Sequence, residues 1–493
     1  MSTNTDSGGS GHGERATETS FVPRASTWTV WALFLASTAV LALTWYGYEW
    51  GLPDGLAIDG LTAVMWVVVT FFSGIVHSYS RRYMAGDRDL ERFYARIFAF
   101  TLTVMTMVAA DNVALFAAAW LAMGLVMASL IGHVRSWEQA QAAKRLSRRY
   151  FLLSTALLAG SLVLLAQLTG TTAISEIVTS VETISSTPLL IAAAGIFLAA
   201  IIQSALFPFH TWLLSSMTAP TPASALMHAG FVNAGGILLT RFAPVVGQEL
   251  VFMSAIVLVG AISALLGQAL LLVQTDVKRE LGSSTLAQMG FMIMQCGLGF
   301  FAAAIAHLIL HGFYKAYLFL ASGASVEHTA PKHDTGTRLG FSGLAVSLLT
   351  AIGGGVLFMV LTGKAAEPAL DSAIVLTVVV VLTTLTAARD ILQRSRLPSS
   401  VRLVSVPAIV LVAISGYAIA FNAVSTMLSG VPMAHSATDL TPVHYLVVAM
   451  FLGGYFVTEL GWYHKSKRFY VALLNVSQPN PSTVLTNKEE YNQ

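Results

Sequence analysis

Long apolar runs separated by short polar connections dominate the sequence. A helix that crosses a bilayer needs about 20 predominantly apolar residues, and fourteen runs reach or approach that length. The pattern therefore predicts an all-α polytopic membrane protein with about fourteen transmembrane helices. The runs lie at about residues 28–48, 56–79, 97–108, 113–131, 150–168, 189–207, 223–242, 250–273, 285–298, 302–321, 344–361, 372–388, 404–421 and 445–460.

Basic residues test this count independently, because the cytoplasmic loops of membrane proteins are enriched in Lys and Arg. Two connections on the opposite side, TGTTAISEIVTSVETISSTP and SGVPMAHSATDLTPVH, contain neither residue. The basic connections all follow even-numbered runs: RRYMAGDRDLERFYAR, VRSWEQAQAAKRLSRR, DVKRE, RDILQRSRLPSSVR and HKSKR. The alternation predicts that both termini are cytoplasmic and that the protein crosses the cell membrane many times.

The two ends of the chain are polar. The first 25 residues are rich in Gly and Ser and lack the apolar core of a cleavable signal peptide. We expect residues 1–25 to form a disordered cytoplasmic tail, residues 26–465 the transmembrane domain, and residues 466–493 a cytoplasmic carboxy-terminal tail.

Composition narrows the possible functions. Charged residues make up only 11% of the chain, against roughly 25% in soluble domains, and a net charge of +2 does not suggest a nucleic-acid partner. The single cysteine, Cys296, excludes a disulfide framework or a cysteine metal site within the chain. Walker A, Rossmann and HExxH motifs are absent. We therefore expect no enzyme activity, no cofactor and no metal.

A proline-rich segment interrupts the regular pattern near the seventh run. FPFHTWLLSSMTAPTPASALMHAGFVNAGG contains Pro208, Pro220 and Pro222, and proline breaks the hydrogen-bond ladder of a helix. Interrupted helices within membranes are typical of transporter sites. A re-entrant turn without a transport role is the alternative.

The tenth run carries the most informative polar residues. In AHLILHGFYKAYLFLASG, His307, His311 and Lys315 recur every fourth residue and therefore share one face of a helix. A Lys at the centre of a membrane helix costs about 2.5–3.5 kcal/mol on translocon scales, and histidine titrates near neutral pH. The stripe predicts a proton relay, with a hydrogen-bonded packing seam as the alternative.

Three further residues are candidates for ion translocation. His228 follows the prolines and is either part of the relay or an ordinary buried histidine. Asp276 and Lys278, in QTDVKRE after the eighth run, form either a cytoplasmic gate or a solvated helix end.

These residues lie in segments that resemble a known superfamily. DGLTAVMWVVVTFFSGIVHSYSRRYMAGDRDLERFY is similar to the amino-terminal signature of antiporter-like NADH dehydrogenase subunits. Three later segments resemble the proton-translocating core of the complex I and Mrp antiporter superfamily: ALFPFHTWLLSSMTAPTPASALMHAG, LLVQTDVKRELGSSTLAQMGFMIMQCGLG and AHLILHGFYKAYLFLASG.

The resemblance covers most of residues 59–323 and has structural implications. It implies fourteen core helices with two inverted five-helix repeats and broken helices. It also implies that His228, Lys278, His307, His311 and Lys315 belong to the family's hydrophilic axis.

Two positions depart from the family pattern. Leu121 follows Trp120 where the family usually has Glu, and Gln203 stands where it usually has Lys. Since the family's pumping model relies on that Glu–Lys pair, a standard stroke in the amino-terminal half is in doubt.

The carboxy-terminal segment KRFYVALLNVSQPNPSTVLTNKEEY resembles the membrane subunits of the DAB inorganic-carbon accumulation family. That resemblance implies a subunit that conducts cations, protons or Na+, within an inorganic-carbon pump embedded in membrane lipids. It also implies a large soluble partner, similar to β-type carbonic anhydrases, that holds the zinc and hydrates CO2. The alternatives are a subunit of a Na+/H+ antiporter or a redox-driven pump, and a structural subunit without ion flux.

Overall fold

The computed structural model describes residues 21–52, 55–325, 341–363, 371–394, 399–432, 437–461 and 466–484. Strands β1 (Trp50–Leu52) and β2 (Leu56–Ile58) form an antiparallel hairpin. The helices are α1 (Phe21–Trp45), α2 (Gly60–Tyr83), α3 (Leu90–Ala109), α4 (Val113–Ile131), α5 (Glu138–Thr169), α6 (Ile174–Thr179), α7 (Ser186–Gln203), α8 (Thr211–Ser215), α9 (Thr221–Ala229), α10 (Ala234–Arg241), α11 (Ala243–Val246), α12 (Leu250–Leu271), α13 (Val277–Gly297), α14 (Phe301–Ala321), α15 (Phe341–Leu361), α16 (Ala373–Arg394), α17 (Ser399–Met427), α18 (Pro442–Glu459) and α19 (Lys467–Val476).

The predicted all-α, multi-pass class is confirmed. Among the described residues, twelve helices are long and apolar enough to cross a bilayer, with α9 and α10 counted as one. The other two predicted runs form α13 and α18, so the count of fourteen is not itself confirmed. Helix α1 begins at Phe21, inside the predicted amino-terminal tail, and the rest of that tail lies outside the described residues.

Polar residues define where several membrane helices begin and end. The first N–H groups of a helix lack partners within it, and the side chains before α2 and α4 accept hydrogen bonds from them. Asp59 Oδ1 lies 2.9 Å from the amide nitrogen of Thr62, and Asn112 Oδ1 lies 2.9 Å from that of Ala114. Gly170 follows the last residue of α5 as its C-cap, and its φ of 75° is left-handed.

The ends of the helices meet in two groups, as alternate crossing requires. The start of α2 meets the end of α10 through Asp59 and Arg241. At the other ends of α2 and α9, the Tyr83 hydroxyl donates to Thr221 Oγ1 over 3.1 Å. We call the side with Tyr83, Thr221 and Lys278 the basic side, and the side with Asp59 and Arg241 the opposite side.

An ion pair ties three elements together at the opposite side. The Arg241 guanidinium bonds both carboxylate oxygens of Asp59, the Thr62 hydroxyl at 3.1 Å and the Val108 carbonyl at 3.0 Å. Burial raises the pKa of Asp59, but the charge and hydrogen bonds of Arg241 hold it below its usual value of 3.8. The last turn of α10 is thereby attached to α2 and α3.

The seventh span is broken, but not at its prolines. Pro220 immediately precedes α9 and Pro222 lies in its first turn, where a missing N–H is harmless. The break is the tight turn at Phe231–Asn233 between α9 and α10. There Asn233 Nδ2 donates to the Ala229 carbonyl over 2.7 Å. The prolines therefore start the helix, which corrects the position that we predicted.

Helices α12 and α13 approach each other through glycines. A Cβ atom on Gly260 would lie 2.5 Å from the Met294 nitrogen and 2.8 Å from the Gly290 carbonyl oxygen. Small residues permit such close backbone packing in membranes, where dispersion contacts replace the hydrophobic effect between helices. The packing holds α13 firmly along its length.

We expect the substitution Gly260→Val to destabilise the protein by about 1–3 kcal/mol, because the added methyl groups overpack this contact. The matched control is Gly353→Val on α15, where a Cβ meets nothing within 4 Å. Thermal unfolding in detergent measures both variants. Equal melting temperatures would contradict the prediction.

Candidate functional site

Helix α14 has one polar buried face and one apolar exposed face. Lys315 is completely buried and His311 is only 6% exposed, whereas Tyr314 and Tyr317 on the other face are 58% and 70% exposed. The rings of His307 and His311 lie almost parallel with centroids 6.0 Å apart. The predicted stripe therefore faces the interior of the bundle.

A continuous hydrogen-bonded chain links the stripe to α9 through α13. Lys315 Nζ donates to the Leu281 carbonyl oxygen over 2.9 Å. The Thr285 hydroxyl donates to the same carbonyl over 2.8 Å, and Thr285 Oγ1 lies 3.0 Å from His228 Nδ1. Side chains from α9 and α14 thus meet on one turn of α13.

This chain specifies the tautomer of His228. A hydroxyl has one proton, and Thr285 gives it to Leu281, so the Thr285 oxygen accepts the hydrogen bond from His228 Nδ1–H. The Nε2 atom of neutral His228 is then a free acceptor, and it has no hydrogen-bond partner among the described residues. Nε2 of His307 and of His311 also lacks such a partner. These three nitrogens are therefore buried polar atoms with unused hydrogen-bonding capacity.

The three histidines are not isolated from one another. The His307 ring stacks on that of His311, and the His228 ring on α9 stacks on Phe319 of α14 with centroids 4.3 Å apart. The predicted residues on α9 and α14 are therefore brought together in one buried cluster.

Lys278 and Asp276 lie at the basic side of this cluster. Lys278 Nζ donates to the Ala219 carbonyl over 3.0 Å, just before α9. Asp276 is exposed and caps α13 by accepting from the Arg279 amide over 2.9 Å. Asp276 thus does not enter the buried cluster, whereas Lys278 lies between the cluster and the surface.

A polar cavity opens beside Lys278. Its volume is about 470 Å³, and it lies between the loops that follow α2 and α4 and the segment before α9. Tyr83, Asp87, Trp137 and Thr218 line it together with Lys278. The cavity gives water access to the basic end of the cluster.

The carboxy-terminal segment packs against the same region. The Asn480 amide lies 3.0 Å from Ser215 Oγ, the Thr483 hydroxyl lies 3.2 Å from the same atom, and His210 Nε2 lies 3.4 Å from the Val476 carbonyl oxygen. Residues 466–484 therefore hold α8, which leads into the loop that bonds Lys278. The predicted tail is folded here, and residues 485–493 lie outside the described residues.

The amino-terminal half is different where the sequence departs from the family pattern. Trp120 Nε1 donates to Ser154 Oγ over 3.1 Å, and Leu121 next to it is apolar. Gln203 is 1% exposed, and both of its amide atoms lack partners among the described residues. This half therefore buries a neutral amide at the position where the family pattern has a charged Lys.

Our reasoning from the sequence missed two polar residues of the interior. Thr285 joins His228 to the Leu281 carbonyl. The sequence pattern that could have identified it is a hydroxyl residue one helical turn after Leu281. His77 is completely buried, with Nδ1 2.8 Å from the Ser73 carbonyl oxygen, and its signal was a lone histidine in an apolar run.

Two family models match the chain. The model described as "NADH:quinone oxidoreductase/Mrp antiporter, TM" matches residues 110–392, more than half of the sequence. The model described as "NADH-Ubiquinone oxidoreductase (complex I), chain 5 N-terminus" matches residues 49–94. The first match contains the whole buried cluster.

Named relatives cover much of the same region. The chain is 42% identical over 295 residues to the probable inorganic carbon transporter subunit DabB1 of Halothiobacillus neapolitanus, covering 58% of this chain and 52% of the relative. It is 38% identical over 276 residues to the probable inorganic carbon transporter subunit DabB of Bacillus anthracis, covering 55% and 53%. The chain thus spans about half the length of the curated relatives it matches.

A solved structure shares the fold. The Mrp complex from Dietzia sp. DQ12-45-1b contains a chain that superposes with a TM-score of 0.55 at 23% identity. The superposition covers 93% of this chain and 51% of that one. The antiporter-like fold extends beyond the family match.

Acidification should loosen the carboxy-terminal segment. Burial lowers the pKa of His210 from its usual 6.5, and the hydrogen bond to the Val476 carbonyl only partly opposes this. An opened state in which His210 is exposed to water therefore binds protons more readily. The packing of His210 and of the segment bonded to it is thus at full strength above about pH 6.5 and weakens as the pH falls below it.

Hydrogen exchange of residues 466–484 measures this effect. After correction for intrinsic rates, we expect weaker protection at about pH 5.5 than at about pH 7.5. In the non-titrating variant His210→Gln the difference should shrink. Equal protection at both pH values in the unmodified protein would contradict the predicted role of His210.

Proposed function

Because the chain belongs to the NADH:quinone oxidoreductase/Mrp antiporter membrane family, we propose that it is the proton-conducting membrane subunit of an energy-coupled inorganic-carbon pump. The observation that carries the conducting role is the buried cluster in which the Leu281 carbonyl holds Lys315 and, through Thr285, His228 close to the histidines of α14. The names of the relatives support inorganic carbon as the transported species.

The cost of the buried stripe supports conduction over a packing role. Each Lys at a membrane helix centre costs about 2.5–3.5 kcal/mol, and Ser or Thr could form a packing seam at lower cost. The three unpartnered Nε2 atoms add polar groups that do not contribute to packing. A stripe with proton acceptors in the bundle interior is suited to pass protons from one residue to the next.

The proposed path ends at the cytoplasm. We assign the basic side to the cytoplasm because Lys and Arg concentrate in its loops, which makes both termini cytoplasmic in a cell membrane. Protons enter from the opposite side, pass along His307, His311, Lys315 and His228, and leave into water in the cavity beside Lys278. Asp276, which caps α13 at the basic side, lies near this exit.

The hydration chemistry belongs to a partner in this proposal. A large soluble subunit similar to carbonic anhydrases would hold the zinc and convert CO2 to bicarbonate, while this chain supplies ion flow. One charge crossing about 150 mV releases roughly 3.5 kcal/mol, and each tenfold of accumulation costs about 1.4 kcal/mol. One proton per turnover therefore supports a gradient of about a few hundredfold.

We expect Lys315→Met to reduce proton flux at least about tenfold, a change of about 1.4 kcal/mol in barrier, without loss of complex assembly. Methionine fills a similar volume and removes a charge that is costly to bury. Proton flux is measured with a pH-sensitive dye in vesicles, and assembly by co-purification of the partner. The control is Lys467→Met, at an exposed position on α19. Full flux in Lys315→Met would favour a structural subunit.

Inorganic-carbon uptake tests the whole proposal. Cells that lack carbonic anhydrase are compared with and without this gene and the gene for its soluble partner, before and after addition of a protonophore. Uptake should require both genes and collapse with the gradient. Failure to restore uptake under any condition would contradict the proposal and favour an antiporter or redox-pump subunit.

A further inference from the structure

The polar stripe of α14 ends at His307, but polar groups continue on α13. The Phe291 ring contacts the His307 ring edge-on, with centroids 5.2 Å apart. Gln295 lies one turn after Phe291 and shares its side of the helix. Gln295 is completely buried, and neither amide atom has a well-directed hydrogen bond among the described residues.

A tyrosine from a third helix reaches the same place. Tyr417 on α17 packs against the apolar cluster that contains Met294, the residue before Gln295. Its ring packs against Phe358 of α15, with centroids 6.0 Å apart. The phenol therefore brings a polar group into apolar surroundings near the turn of α13 that carries Gln295.

Gln295 lies close to the opposite side of the bundle. Three residues later, the Leu298 carbonyl accepts from the Ser372 hydroxyl over 2.7 Å and from the Thr438 amide over 3.4 Å, both in connections on that side. From Lys278 to Gln295 the helix rises about 25 Å at 1.5 Å per residue, close to the hydrocarbon thickness of about 30 Å. The polar groups then extend over most of the membrane.

We propose that Gln295 and Tyr417 form the outer end of the conducting path, where their amide and hydroxyl groups hold the water that exchanges protons with His307. This inference rests on the proposed conduction. An amide carries both a donor and an acceptor, so it orients water without being protonated. A proton that arrives from the opposite side moves from that water onto His307 Nε2, and the imidazole returns to its neutral form when it passes a proton on to His311.

The test measures proton flux of the whole complex in proteoliposomes under an imposed voltage. Gln295→Met keeps the volume and removes the polarity, and Tyr417→Phe removes one hydroxyl. We expect each to reduce flux at least about tenfold, and Gln295→Glu to restore it. The matched controls are Gln274→Met, at a helix end on the basic side, and Tyr445→Phe, at an exposed position on α18. Both controls should conduct normally.

The outcomes separate this inference from the proposed function. If the unmodified complex carries no protons, both are wrong. The second outcome is that the unmodified complex conducts, Lys315→Met blocks conduction, and both Gln295→Met and Tyr417→Phe conduct normally. In that case only the outer path is wrong. If flux is lost in Gln295→Met but not recovered in Gln295→Glu, with the complex intact, Gln295 has a packing role and the inference also fails. Recovery of flux in Gln295→Glu supports the inference. If Gln295 only filled space, a carboxylate at this position would conduct no better than methionine.

Discussion

The burial of a lysine and three imidazoles inside a lipid-solvated bundle constrains the rest of this structure. Lys315 cannot face lipid without a large cost, so α14 turns its polar face inward and exposes Tyr314 and Tyr317. The ammonium needs an acceptor, and the Leu281 carbonyl supplies it although that carbonyl belongs to the backbone of α13. The positions of α13 and α9 follow from this requirement, because both helices must present polar atoms to the same buried face.

Features distant from the cluster hold those helices in place. Close glycine packing backs α13 against α12, and the Arg241–Asp59 pair attaches the end of α10 to α2 and α3. The folded carboxy-terminal segment holds α8 near the loop whose carbonyl receives Lys278. Each anchor acts on a different element, but together they keep hydrogen bonds of about 3 Å aligned across three helices.

The two halves of the fold differ in their buried polar side chains. In the described residues, the buried His and Lys side chains of the cluster lie on α9 and α14, whereas the position of Gln203 carries a neutral amide. The indole N–H of Trp120 donates to Ser154, and the apolar Leu121 follows it. The path that we propose therefore runs through the later helices, and the neutral Gln203 differs from the charged residue that the family resemblance implies.

The sequence by itself determined the membrane class, the alternation of the helices and the face shared by His307, His311 and Lys315. These depend on local periodicity and on charge between apolar runs, which act within one helix and its flanks. Only the tertiary structure decided where the seventh span breaks, which carbonyl receives Lys315, and that Asp276 caps a helix while Thr285 completes the buried chain. Those outcomes depend on the register between helices far apart in sequence, which packing sets and which no local pattern contains.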